Sequence, residues 1–75
     1  MTAGNYVHLD IDRIVRETDA AFLVVLAEDY GEWDAGEEIW LAKSHVDDAD
    51  AYQAGDGSCC LSITQWLAKE KGLIE

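Results

Sequence analysis

Proline is absent from this chain of 75 residues, methionine occurs once, and histidine and cysteine occur twice each. Basic residues are nearly as scarce, with five lysines and arginines against sixteen aspartates and glutamates, a formal charge of −11 at neutral pH. Each shortage excludes something. A surface this poor in cations repels nucleic acid and anionic membranes, because phosphate contact relies on Lys and Arg. The cysteines, Cys59 and Cys60, are neighbours in the chain. Adjacent Cα atoms lie about 3.8 Å apart, closer than the roughly 4.4 Å or more that a disulfide usually spans. Both are therefore expected as free thiols in a reducing cytosol, one of them facing the core. The longest apolar run, Ala20 to Ala27, falls far short of the about 20 residues that cross a bilayer. The segment from Met1 to Asn5 lacks the basic and then apolar stretches of a secretory leader, so a cytoplasmic location is expected.

The scarcity extends to chemistry. A hydrolase needs a nucleophile held against a base, and the adjacency of Ser44 and His45 in the chain does not create one. Neither a glycine-rich phosphate loop nor a dinucleotide fingerprint is present. Cys59-Cys60 lacks the spacing of a zinc knuckle, and there is no second pair. The stretch Asp48-x-Asp50-x-Tyr52-Gln53 opens like a calcium loop, then places Tyr52 where a ligand belongs and Gln53 where glycine is required. The chain is accordingly expected to be no enzyme, with no cofactor, no catalytic residue and no dedicated metal site.

What remains is a globular composition. Hydrophobic residues make up 49% of the chain, which argues for a folded domain despite the charge. The length suits a single domain over 1–75, with a thin core that buries only about 60% of the unfolded surface. Tyr6 to Ile11 alternates, with Val7, Leu9 and Ile11 on one side, as a half-buried strand does. The alternation slips at Ile14-Val15, which predicts a bulge near Asp12-Arg13. Ala20–Ala27 is rich in pleat-favouring residues and reads as a second strand after a turn at Thr18-Asp19. The spacing of Ile11, Ile14, Val15, Thr18, Phe22, Val25 and Leu26 also fits a helix, and that alternative stays open here.

Glu28 to Glu37 reads as an exposed acidic loop and Glu38 to Ala42 as a third strand, with Ile39 and Leu41 on one face and Trp40 on the other. A short turn at Lys43–Val46 tucks Val46 under the sheet. Asp47 to Gly57 is a second polar loop and Ser58 to Ile63 a fourth strand. Thr64 caps a helix over Gln65–Lys71 that Gly72 ends. The fold expected is mainly β within the α+β class: a small bent antiparallel sheet or partly open barrel of about four strands, with one C-terminal helix. The core is expected at Leu9, Ile11, Leu23, Val25, Trp40, Leu61, Ile63, Trp66 and Leu67.

Three motifs in this order, Thr18-x-x-Ala21-x-Leu23-Val24, then Ile39-Trp40-Leu41-x-Lys43-Ser44-x-Val46, then Leu61-x-Ile63-x-x-Trp66-Leu67-Ala68 with Gly72-Leu73, resemble a family of small β-rich domains common in phages and mobile elements. The resemblance runs from about residue 10 to the end. The usual form carries proline where this chain has Ala42, and the acidic loops here are longer and more acidic. The resemblance implies a β-rich domain with a C-terminal helix in a phage or prophage setting, and it carries no activity over to this chain.

The charge supplies the functional expectation. Glu28, Asp29, Glu32, Asp34, Glu37 and Glu38 come from one loop and Asp47, Asp48 and Asp50 from the other, with Tyr30 and Trp33 as aromatic contacts, unless Trp33 folds back to cover the thin core. These residues are expected to bind a partner, their carboxylates standing in for phosphates against Arg and Lys. Asp10 and Asp12 extend the acidic surface. With the phage setting, this points to an inhibitor that mimics nucleic acid and occupies the basic surface of a host nucleic-acid-binding protein, such as a CRISPR-type defence complex, in the host cytoplasm. The alternative is a non-inhibitory accessory module of phage DNA metabolism that docks on a replication or recombination protein through an apolar patch around Trp33 or the C-terminal tail, with acidity only solubilising.

Overall fold

The computed structural model describes residues 5–74; the leader reading at the start of the chain falls mostly on residues 1–4 and lies outside them. Four strands, β1 (Tyr6–Glu17), β2 (Ala21–Leu26), β3 (Glu38–Ala42) and β4 (Cys59–Thr64), precede one helix, α1 (Gln65–Glu70). They form a single unclosed sheet in the order β3-β2-β1-β4, with every neighbouring pair antiparallel. This is the mainly β architecture expected, and the helical alternative for 11–26 does not form. Among the described residues no helix is long and apolar enough to cross a membrane.

The slip in hydrophobic alternation has a structural cause. The β1–β2 register shifts between Ile11 and Arg13 and again between Ile14 and Arg16. Each shift admits an extra residue and bends the strand. Leu9, Ile11 and Ile14 thereby all reach the core although they break a strict period of two. Thr18 closes the β1–β2 connection: its N–H donates to the Ala21 carbonyl at 2.8 Å, and its hydroxyl accepts from the Ala21 N–H at 3.0 Å.

One cluster forms the core. Leu9, Ile11 and Ile14 of β1, Phe22, Val24 and Leu26 of β2, Ile39 and Leu41 of β3, and Leu61 and Ile63 of β4 pack under Val46, Leu67, Ala68 and Leu73. Three of the expected core positions differ. Trp40 is 41% exposed and Trp66 58% exposed, while Leu23 is half-buried. The pleat explains two of these: Ile39 and Leu41 take the inner side of β3, so Trp40 lies outside, paired with Leu23 across β2. Val25 is on that outer side too, buried beside Ala35 and Gly36 rather than in the cluster. On α1 the inner positions are Leu67 and Ala68, and Trp66, one residue earlier, is turned about 100° away. Its ring stacks on His45 with centroids 4.8 Å apart.

These positions predict a contrast in stability. Phe22→Ala removes a fully buried ring and should cost about 3–5 kcal/mol, whereas Trp66→Ala should cost about 1 kcal/mol or less, as surface substitutions do. Urea unfolding of both variants checks this; equal losses would place Trp66 in the core after all.

The ends of the sheet differ. After β3 the chain makes a 3-10 turn (Lys43–His45) and lays Val46 beside Ile63 on the free side of β4, the Asp47 N–H donating to the Ser62 carbonyl at 2.7 Å. The edge of β4 is therefore partly covered, and that of β3 is open. Thr64 caps α1 by accepting the Leu67 N–H at 3.1 Å, and Gly72 ends it at φ +75°. Glu17, at the end of β1, holds both crossings: one carboxylate oxygen accepts from Lys43 Nζ at 2.7 Å and the other from the Ala54 N–H at 3.0 Å.

The Lys43 hydrogen bond, with the Ala54 bond adding to it, lowers the Glu17 pKa below its ordinary 4.5. A carboxylate whose folded pKa is depressed stabilises the fold above its unfolded pKa and loses that contribution as pH falls through the folded value. Thermal melts should therefore show a drop below about pH 4.5 that is smaller in Glu17→Gln. An unchanged pH profile in that variant would remove Glu17 as a tie between segments.

Candidate functional site

The acidic loop between β2 and β3 is built on a tight backbone knot. Tyr30 and Trp33 exchange backbone hydrogen bonds, Tyr30 N–H to Trp33 O at 2.9 Å and Trp33 N–H to Tyr30 O at 2.7 Å. The reversal between them requires φ +55° at Gly31. The knot is fastened to the end of α1, because the Glu32 N–H donates to the Gly72 carbonyl at 2.9 Å and Trp33 Nε1 donates to the Lys71 carbonyl at 2.5 Å. The Lys71 carbonyl, at the C-cap, is among those a helix end leaves without intrahelical donors, and Gly72 follows just beyond it. Tyr30 and Trp33 are half-buried against the core, so both hold the loop in place and present only part of their rings to a partner.

Two carboxylates of this loop are braces as well. Asp29 Oδ1 accepts the Ala35 N–H at 2.8 Å, and Glu37 Oε2 accepts the Asp34 N–H at 2.6 Å. Glu28, Glu32, Asp34 and Glu38 are exposed and make no side-chain hydrogen bond among the described residues. The second loop is organised similarly. Asp48 turns the chain with a left-handed φ of 58° and leads into a 3-10 turn (Ala49–Ala51). Asp56 Oδ2 accepts the Gln53 N–H at 2.9 Å, and the backbone of residues 55–56 bonds both polar groups of Ile14. Asp47, Asp48 and Asp50 are left exposed.

The fold brings these two loops to one place. Asp10 of β1 lies opposite Cys60 of β4. On one side the Asp10 N–H donates to the Tyr30 hydroxyl at 2.8 Å, and on the other the Tyr52 hydroxyl donates to the Cys60 carbonyl at 3.1 Å. Burial, with the charges of Asp10 and Glu28 adding to it, pushes the Tyr30 phenol above its ordinary range. Burial likewise raises Tyr52, helped by charge at Cys59, Asp48, Cys60 and Asp47. Glu28, Asp10, Asp47 and Asp48 thus flank a single rung of the sheet. Among the described residues only Asp12 and Glu17 are ion-paired, with Arg13 at 2.6 Å and Lys43 at 2.7 Å. Neither pair lies at that rung.

Two arrangements escaped sequence reasoning. His8 lies opposite Ser62, its Nδ1 3.1 Å from Ser62 Oγ and 4.0 Å from Cys60 Sγ. Only strand register, invisible in the linear chain, juxtaposes them. Burial, followed by the neighbouring Asp10 charge, pushes the Cys60 thiol up, the opposite of the lowered pKa that activates a nucleophilic thiolate. The second is a shallow hollow of about 500 Å³ whose lining includes Ala21, Trp40, Ala42, His45, Trp66 and Lys71. Pleat parity already placed Trp40 outside, but nothing local signals that Trp66 joins it. Among the described residues no three His, Cys, Asp or Glu side chains converge as a metal site. No family model, curated protein or solved structure matches this chain.

Proposed function

We propose that this protein is a non-catalytic acidic binding protein whose partner is a basic, nucleic-acid-binding protein surface. The observation that carries the reading is the approach of the two acidic loops to opposite sides of the Asp10–Cys60 rung, through Tyr30 and Ala27 on one side and Tyr52 and Asp47 on the other, with Asp10, Glu28, Asp47 and Asp48 exposed. Such an array attracts guanidinium and ammonium groups that would otherwise neutralise phosphates, and the net charge of −11 accelerates the encounter. Fixed backbone beneath the loops lowers the ordering cost of binding. In the phage setting suggested by the sequence resemblance, the partner is a host protein, a CRISPR-type defence complex or another nucleic-acid-binding protein, which this protein inhibits by occupying the site of the nucleic acid.

A second reading rests on the exposed Trp40 and Trp66: an accessory module of phage DNA metabolism that docks through the tryptophan-lined hollow on a replication or recombination protein, with acidity only solubilising. Capture from a bacterial lysate on the immobilised protein at low salt, followed by a salt gradient, separates the two. Release of a protein with a basic nucleic-acid-binding groove at moderate salt is the expected result. Retention through high salt, abolished by Trp66→Ala, would favour the second reading.

A further inference from the structure

The geometry points to a second binding surface, the open edge of β3, and we propose that it pairs with the same edge of a second copy of this chain to make an antiparallel homodimer. Bonds at the two ends of β3 set its parity. The Leu26 N–H donates to the Glu37 carbonyl at 3.0 Å, and the Lys43 N–H donates to the Ala20 carbonyl at 2.8 Å. Odd-numbered residues therefore turn their polar backbone groups toward β2, and Glu38, Trp40 and Ala42 turn theirs to the open side. No strand lies on that side among the described residues. Proline, a bulge and an inward-pointing charge, which often blunt an edge, are missing from Glu38-Ile39-Trp40-Leu41-Ala42, and the one charge on this short strand is Glu38 at its start.

The sequence of this edge is complementary to itself. With Trp40 on the two-fold axis, Glu38 of one copy lies opposite Ala42 of the other, and Glu37 lies opposite Lys43. Acid at one end of the strand thus meets base at the other end of its copy, twice, each group using capacity left beyond its bond within the chain, Glu37 to the Asp34 N–H and Lys43 to Glu17. About six interstrand hydrogen bonds form, because Trp40–Trp40 and both Glu38–Ala42 pairs are of the hydrogen-bonded type. The Trp40 rings, exposed in the single chain, come side by side on the outer face next to Leu23. Repulsion between copies carrying −11 each opposes this, but it is screened over about 8 Å at physiological ionic strength. The acidic rung at Asp10–Cys60 is two strands away from β3 and stays accessible, so this inference does not depend on the proposed partner.

Ala42 offers a clean test. Its φ of −66° and ψ of 128° already match proline, and its N–H points to the open side, so Ala42→Pro removes a donor and places a ring on the edge without strain. At physiological salt, sedimentation equilibrium of the parent should show a mass rising with concentration toward twice 8.3 kDa. The amides of Glu38, Trp40 and Ala42 should exchange more slowly at high concentration. Ala42→Pro should remain monomeric, with a melting temperature no lower than that of the dilute parent. Trp40→Ala, which removes an exposed ring, should weaken association by about tenfold while far-ultraviolet circular dichroism stays unchanged. A parent that is monomeric at every concentration overturns the proposal. So does association that survives Ala42→Pro or leaves the three amides unprotected.

Discussion

Gly31→Ala should destabilise this domain by about 3 kcal/mol or more. Gly31 sits at φ +55°, a left-handed conformation that costs a residue with a side chain about 1–2 kcal/mol. The larger effect is contact. A methyl group there would overlap the Gly72 carbonyl oxygen and lie 2.8 Å from the Leu73 carbonyl carbon. Both neighbours are backbone, so no rotamer change relieves the clash. The loop must lift off the end of α1, and with it go the Glu32 bond to Gly72 and the Trp33 bond to Lys71. Leu73, buried in the core, loses its anchorage at the same time. Gly36→Ala is the control. It shares a positive φ of 92°, but nothing lies within 4 Å of the added methyl, so it should lose only the conformational part. Chemical unfolding of the two variants measures the difference, and equal losses would mean that the Gly31–Gly72 approach contributes nothing.

Reversing charge at Asp10, Glu28 and Asp47 should slow association with the basic partner by about tenfold to a hundredfold at low salt, because steering depends on summed charge. The three residues come from one strand and two loops that are distant in sequence, and they belong together only through the Asp10–Cys60 rung. Their carboxylates brace no backbone, unlike those of Asp29 and Glu37, so lysine at each should change stability by only about 0.5 kcal/mol. The salt dependence of the association rate should fall along with the rate. A triple variant that binds at the parental rate, with a parental melt, would show that this acid only solvates the domain.

Much of the fold was legible because strands, turns and caps are local signals. Glu38–Ala42 was bounded by the acidic loop and by the Lys43 turn. Thr64 and Gly72 marked the two ends of the helix through capping chemistry that depends on a few residues. The bulge near Asp12 was visible as a slip in alternation. Exposure of Trp40 and Trp66 was not legible. Large aromatic residues suggest core, yet pleat parity put Trp40 outside, and one residue of helical phase put Trp66 outside while Leu67 went in. Trp33 was readable either as an interface anchor or as a cover for the thin core, and it folds back against the core and donates its indole N–H to the Lys71 carbonyl. The acidic loops were recognisable as such, but not which carboxylates are spent on backbone braces, since that depends on loop geometry. Their convergence on Asp10 follows from β1–β4 pairing across about fifty residues, a non-local contact that sequence periodicity cannot specify.

The proposed function requires this protein to compete with nucleic acid for a protein surface. Proteins from a bacterial lysate bound to DNA-cellulose at physiological salt provide a direct measurement: the purified protein is added and the eluate is weighed against that released by the triple variant. Selective release of a nucleic-acid-binding protein in complex with the parent is expected, with little release by the variant lacking Asp10, Glu28 and Asp47, and reversal by excess free DNA. Equal release by both proteins, or a partner that binds the parent while staying on the DNA, would contradict it.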